Sequence, residues 1–101
     1  MFYGKMEDMK HVSEVAVRVL ATLYEQRLRN SDDYRLQGRR YKHLPGNKRT
    51  YLRLEQMGLV EINKFWNDGL HEVTITDEGT RFFKNKHPQQ ARYIKRMLFE
   101  E

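Results

Sequence analysis

Residues 47–60, NKRTYLRLEQMGLV, are the stretch from which the fold can be predicted. Tyr51 and Leu54 stand three positions apart, so on a helix they share one face. The other sides carry Lys48, Arg49, Leu52, Arg53 and Gln56. Gly58 suits the left-handed position at which many helices end. The stretch therefore predicts a helix over about residues 47–57 that buries Tyr51 and Leu54 and leads straight into an extended segment.

The segment before this helix allows two interpretations. Asp32 or Asp33 can cap the N-terminus of a short helix that ends at Leu44. Because Gly38 weakens a helix, Tyr34–Gln37 can instead form a brief strand before a still shorter helix. The residues alone leave both interpretations open.

A tight turn joins that segment to the helix over residues 47–57. Pro45 and Gly46 favour a turn, and Asn47 is a competent cap for the helix that follows. Two helices joined by a short turn that contains glycine describe a helix-turn-helix unit.

One long helix is predicted before this unit. Apolar residues recur at three- and four-residue steps over about residues 7–29, which is the period of an amphipathic helix. We expect its apolar stripe to enter the core: Met6, Met9, Val12, Val15, Ala16, Val19, Leu20, Leu23 and Leu28.

A hairpin and two more helices are predicted after the unit. Apolar and polar residues alternate over about 59–65 and 70–76, and the Asp-Gly pair between these stretches is a strong hairpin signal. Thr76-Asp77-Glu78 then opens a helix over about 77–86, in which Phe82 and Phe83 turn inward. Pro88 suits the first turn of a last helix, at 88–99.

Two stretches resemble parts of known regulators. Tyr51–Val60 is similar to the end of the recognition helix and the start of the wing in MarR-type and PadR-type regulators, and Val73–Gly79 is similar to their return strand running into the next helix. The likeness covers about residues 12–86. It implies a winged helix-turn-helix fold and a DNA-binding transcription factor, usually a symmetric dimer, whose third helix enters the major groove.

The expected fold class is accordingly α+β: mainly α, with a small β-hairpin. Residues 1–101 are expected to form a single winged-helix domain, with its core at about 12–86 and extra helical segments at both ends. Apolar residues near the two ends exceed what one small core requires, so we expect the terminal segments, above all residues 88–100, to form a homodimer.

The charge of the chain is concentrated in one place. The formal net charge is +5, yet residues 34–53 carry seven Lys and Arg and no acid, while the segments on either side each carry a net charge of −1. Because the charges in this segment all have the same sign, they repel one another unless a polyanion neutralises them. Nucleic acid is therefore the partner class that we expect.

The same composition argues against other classes. No apolar run is long enough for a membrane span and no leader typical of secretion is visible, so we expect a soluble cytoplasmic protein without a membrane partner. The chain has no cysteine, and its four histidines lack metal-ligand spacing. Paired acids fall at expected helix starts, where they serve as caps. We therefore expect no enzyme, no metal and no cofactor.

The expected DNA-contacting residues fall into three groups. Lys48, Arg49 and Arg53 are expected to contact base edges or the groove, and Arg39, Arg40 and Lys42 to contact phosphates. In the hairpin, Lys64 and Trp66 are the residues expected to contact DNA, and Lys64 is the one Lys or Arg there. Trp66 can stack on bases, although covering the end of the core is its more common use. Asn47 can read adenine, but capping is favoured.

Three functions fit this pattern. The first is a sequence-specific regulator that binds double-stranded DNA; its effector, if it has one, cannot be named from the residues. The second is a chromatin-type or RNA-binding winged helix without sequence preference. The third is a protein-interaction module on the same fold, which would dock partners through Phe65, Trp66 and the terminal aromatic residues.

Overall fold

The computed structural model describes residues 12–33, 36–64 and 71–99. Within these ranges the chain combines helices with a small antiparallel sheet, which confirms the α+β class. In chain order the elements are α1 (Glu14–Arg29), β1 (Arg39–Arg40), a 3-10 turn (Tyr41–His43), α2 (Lys48–Gln56), β2 (Val60–Lys64), β3 (His71–Ile75), α3 (Asp77–Lys86) and α4 (Pro88–Phe99).

Helix α1 begins later than the sequence pattern predicted. Ser13 is extended and its hydroxyl accepts a hydrogen bond from the Ala16 amide at 3.1 Å, so it caps the helix that starts at Glu14. A serine in this position satisfies one of the free amides of the first turn, which fixes the start there. The prediction of one continuous helix from residue 7 is therefore wrong at residues 12 and 13; Met6 and Met9 lie outside the described residues.

The α-helix predicted to end at Leu44 is wrong. Arg39 and Arg40 form a two-residue strand instead, and residues 41–43 make a single 3-10 turn. The other interpretation, a strand before a very short helix, has the right order but not the right place, because the strand is at 39–40 rather than at 34–37. The strand exists because it pairs with β3, placing Arg39 opposite Val73 and Arg40 opposite Glu72.

The hairpin prediction is confirmed to within a residue or two at its strand ends. Strands β2 and β3 pair in antiparallel register from Val60 opposite Ile75 to Lys64 opposite His71. Ile62 and Val73 also face one another, and all four apolar side chains of the two strands are buried. Strand β3 is central, in the order β1-β3-β2, and the predicted turn at Asn67-Asp68-Gly69 lies outside the described residues.

The two helices that follow the sheet match their predicted bounds. Thr76 caps α3 by accepting a hydrogen bond from the Gly79 amide at 2.9 Å, and its own hydroxyl donates to the Gly58 carbonyl at 2.7 Å. One threonine therefore starts α3 and fastens it to the end of α2.

The core lies between the sheet and all four helices. Tyr24 of α1 and Phe83 of α3 meet in its centre with their ring centroids 5.1 Å apart. Of the expected stripe on α1, Val15 is exposed, so its place in the core was wrongly predicted, whereas Val12 and Leu28 are partly buried. The fully or almost fully buried side chains of α1 are Ala16, Val19, Leu20, Leu23 and Tyr24.

Helix α4 packs on α1 and α3 through part of its apolar surface only. Ala91 and Ile94 are buried there, while Tyr93, Met97 and Phe99 are exposed. We expected the apolar residues of the last helix to be covered by a second chain. This expectation is wrong for Ala91 and Ile94, because helices of the same domain cover them. No helix in the described ranges has the length and apolar character to cross a bilayer.

Candidate nucleic-acid interface

Local hydrogen bonds fix the start of α2. The Asn47 carboxamide oxygen accepts from the Thr50 amide at 3.1 Å and lies 3.2 Å from the Thr50 hydroxyl. The Tyr51 hydroxyl reaches back and donates to the Pro45 carbonyl at 2.7 Å. Asn47 and Tyr51 together hold the turn against the helix, and Asn47 is used as the cap that the sequence favoured.

The end of α2 is fixed by glycine. Gly58 has a φ of +79°, a conformation that other residues adopt only with strain. The chain turns there into β2, and the Glu55 carboxylate accepts a hydrogen bond from the Ile62 amide at 3.2 Å. Tyr51 and Leu54 are buried beneath the helix, as predicted. The rest of α2 therefore faces outward on a rigid support.

The outward face of α2 carries all three of the residues expected to read bases. Lys48, Arg49 and Arg53 are exposed and border one shallow depression. Leu52, Gln56 and Met57 also line it. The sequence placed Leu52 and Gln56 on the outward sides of the helix but gave them no role in the site, and it missed Met57. Their spacing at three and four residues from Lys48, Arg49 and Arg53 was the available signal.

The expected phosphate contacts lie around a second depression, formed by β1 and the 3-10 turn. Arg40 and Lys42 are exposed on its rim. Arg39 is half-buried, and its guanidinium donates to the Gln26 side-chain oxygen at 3.4 Å, while its Nε is buried without a partner among the described residues. Arg39 is thus turned towards α1 and is less accessible than Arg40.

Tertiary structure brings an acid into this second depression. Glu72 of β3 stands opposite Arg40 in the sheet and lines the same hollow. Its side chain lies over Gly38, where an added Cβ would come within 2.5 Å of the carboxyl group. The segment that contains no acid in sequence therefore has one acidic neighbour in space.

Aromatic rings connect the two depressions. The Tyr41 ring stacks on His71 of β3 with centroids 5.1 Å apart, and it also meets Tyr51 of α2 at 4.8 Å. Burial raises the pKa of the Tyr41 hydroxyl, and the negative charge of Glu55 raises it further. Tyr41 therefore stays neutral at physiological pH and acts as a spacer between the 3-10 turn, the sheet and α2.

Most of the basic residues on these two surfaces lack an acidic partner. Among the described residues, the ion pairs join Arg18 to Glu14, Arg27 to Asp77 and Arg29 to Glu25, all away from α2. On these two surfaces, five exposed cations make no ion pair with a carboxylate of the described residues: Arg40, Lys42, Lys48, Arg49 and Arg53. Their positive potential is therefore available to a partner.

The two remaining predicted contacts belong to the hairpin. Lys64 ends β2, and Trp66 lies outside the described ranges. No cluster of three His, Asp or Glu side chains in those ranges could hold a metal ion. Comparison of the chain with protein-family models, curated proteins and solved structures finds no match in any of the three.

Proposed function

We propose that the chain is a winged-helix protein that binds double-stranded DNA through α2 and acts as a sequence-specific transcriptional regulator. The order of the elements supports this fold: a helix, a short strand, a helical turn, the exposed helix α2 and a two-stranded hairpin, with β1 added to the free edge of β3. In this proposal the 3-10 turn at Tyr41–His43 takes the place of the first helix of a helix-turn-helix unit.

The observation that carries the proposal is the unpaired basic face of α2. Lys48, Arg49 and Arg53 project from a helix whose opposite side is anchored by Tyr51 and Leu54. An α-helix with its side chains is about 10–12 Å in diameter, and the major groove, about 12 Å wide, admits it. Arginine and lysine are also the side chains that most often pair with guanine there.

The second basic surface supplies the sequence-independent part of the binding. Arg40 and Lys42 are exposed and are expected to contact phosphates, with Arg39 joining them once its guanidinium leaves Gln26. Replacing the three by alanine should weaken binding to all sequences about equally. The slope of log K against log salt should flatten by about 0.9 for each phosphate that the variant no longer neutralises. Unchanged binding of the triple variant would contradict this assignment.

A homodimer is the assembly that we propose. Tyr93 and Met97, one helical turn apart, leave an apolar stripe exposed on α4, and a second copy across a two-fold axis would cover it. Two α2 helices would then reach half-sites about 34 Å apart. Sedimentation equilibrium should show a dimer for the intact chain and a monomer for Tyr93→Ser/Met97→Ser; a monomeric intact chain at micromolar concentration would rule the dimer out.

Selection of bound duplexes from a random pool tests the function directly. A regulator should enrich a defined sequence and bind it at least about a thousand-fold more tightly than random DNA at physiological salt. Equal affinity for all duplexes, or a preference for RNA, would favour the chromatin-type or RNA-binding function. Absence of salt-dependent binding to any nucleic acid would favour the protein-interaction module.

A further inference from the structure

One apolar side chain stands in the middle of the basic face of α2. Leu52 is 39% exposed, although Tyr51 and Leu54 beside it are buried. It lies one helical turn after Lys48 and one turn before Gln56, so the three form a single row along the helix. Leu52 lines the same depression as Arg49 and Arg53 of α2.

We propose that Leu52 is a specificity-determining residue that contacts the 5-methyl group of a thymine in the major groove. This inference rests on the proposed function, because it requires α2 to lie in the groove. Most groups on the base edges there are hydrogen-bond donors or acceptors, and the thymine methyl is the apolar exception. Packing a leucine against a donor or acceptor would remove water from that group without replacing its hydrogen bond.

The neighbours of Leu52 direct it to a base rather than to the DNA backbone. Lys48, Arg49 and Arg53 surround it with long cationic side chains that can reach phosphates or guanine. The leucine side chain is shorter and cannot pair with a phosphate. When the cations bring α2 into the groove, Leu52 is therefore pressed against the base edges at the centre of the contact.

The test removes the methyl group from the DNA and the side chain from the protein. In the duplex enriched by selection, each thymine is replaced in turn by deoxyuridine, which lacks only the 5-methyl group. The intact chain should bind about four-fold more weakly when one particular thymine is replaced, because one buried methyl is removed. Leu52→Ala should bind the original duplex at least about four-fold more weakly and should no longer distinguish thymine from deoxyuridine at that position.

Two further variants serve as controls. Leu36→Ala changes another leucine, 55% exposed, which lines the second depression and not the face of α2. It can alter the affinity for all duplexes alike, but it should keep the full sensitivity to deoxyuridine. Leu52→Met keeps an apolar side chain and should keep most of that sensitivity. Thermal melting of Leu52→Ala should remain close to that of the intact chain, because the residue is exposed.

The outcomes separate this inference from the proposed function. If the intact chain binds its selected duplex but no thymine replacement matters, the inference is wrong and the DNA-binding function stands. The same holds if Leu52→Ala remains as sensitive to deoxyuridine as the intact chain. If no duplex is bound or enriched, both the inference and the proposed function are wrong.

Discussion

Replacing Gly79 with alanine should destabilise the protein, although alanine normally strengthens a helix. Gly79 is buried in the first turn of α3, where the helix crosses the backbone that leads from α2 into β2. A Cβ at this position would lie 2.0 Å from the Leu59 carbonyl oxygen and 2.9 Å from Cγ1 of Ile75. The same Leu59 carbonyl accepts a hydrogen bond from the Thr76 amide at 3.1 Å, so it is not free to move.

The size of the effect follows from the distance. Ordinary contact begins near 3.4 Å, so α3 or the Leu59 backbone would have to move by about 1.4 Å to accept the methyl group. Overpacking of this kind costs about 1–3 kcal/mol, and more when backbone must shift. The helix propensity of alanine returns about 1 kcal/mol. Because the obstacle is backbone, we expect Gly79→Ala to lower the free energy of unfolding by about 2 kcal/mol.

Urea and thermal unfolding, followed by circular dichroism, measure this change. A decrease of about 2 kcal/mol corresponds to a fall in Tm of roughly 8–16 °C for a domain of this size. Asn85→Ala is the control, because Asn85 is exposed on the same helix and alanine should stabilise it by up to about 0.5 kcal/mol. If Gly79→Ala were as stable as the intact chain, the close packing of α3 on Leu59 would be refuted.

Three other changes test the supports of the fold. Thr76→Ala removes the cap of α3 and should lower the free energy of unfolding, measured in urea, by about 1–2 kcal/mol. Thr76→Ser keeps the hydroxyl and should therefore keep most of the stability of the intact chain. Arg27 lowers the pKa of Asp77, so this pair stabilises the fold above the unfolded pKa of about 4 and the gain disappears as pH falls through the folded value. Asp77→Asn should accordingly lose less stability than the intact chain when the pH is lowered. If its free energy of unfolding fell as steeply with pH as that of the intact chain, the pairing would be contradicted. Tyr51→Phe removes the hydrogen bond to Pro45 and should cost about 1 kcal/mol; no change in urea would show that the bond contributes nothing.

The helices whose ends carry local signals were predictable from the sequence. Asn47, Gly58 and Thr76 act through their own backbone and nearest neighbours, so α2 and the start of α3 were predicted to within a residue. The hairpin was predictable for the same reason, since its alternating pattern lies within one short stretch. In α1 most of the predicted stripe was correct, but the cap at Ser13 was overlooked because the apolar pattern continues past it.

Structure that depends on distant residues was not predictable. Strand β1 is only two residues long and exists because β3 offers a free edge, a pairing across more than thirty positions. The position of Glu72 beside Arg40 has the same origin, so counting charges along the chain overstated the isolation of that basic segment. Leu52 was noticed as outward-facing, but only the assembled depression shows that it shares a surface with Arg49 and Arg53.

The most direct test of the account compares two variants of equal charge. Arg49→Ala/Arg53→Ala removes two cations from the outward face of α2, and Arg92→Ala/Lys95→Ala removes two exposed cations from α4. Fluorescence anisotropy with the selected duplex should show at least about ten-fold weaker binding for the α2 variant, since a single base pairing by arginine contributes about 1–3 kcal/mol. The α4 variant should stay within about two-fold of the intact chain, because Arg92 and Lys95 line neither of the two surfaces proposed to contact DNA, and salt screens charges that make no direct contact. Equal losses for the two variants, or no loss for the α2 variant, would contradict the claim that α2 is the DNA-reading element.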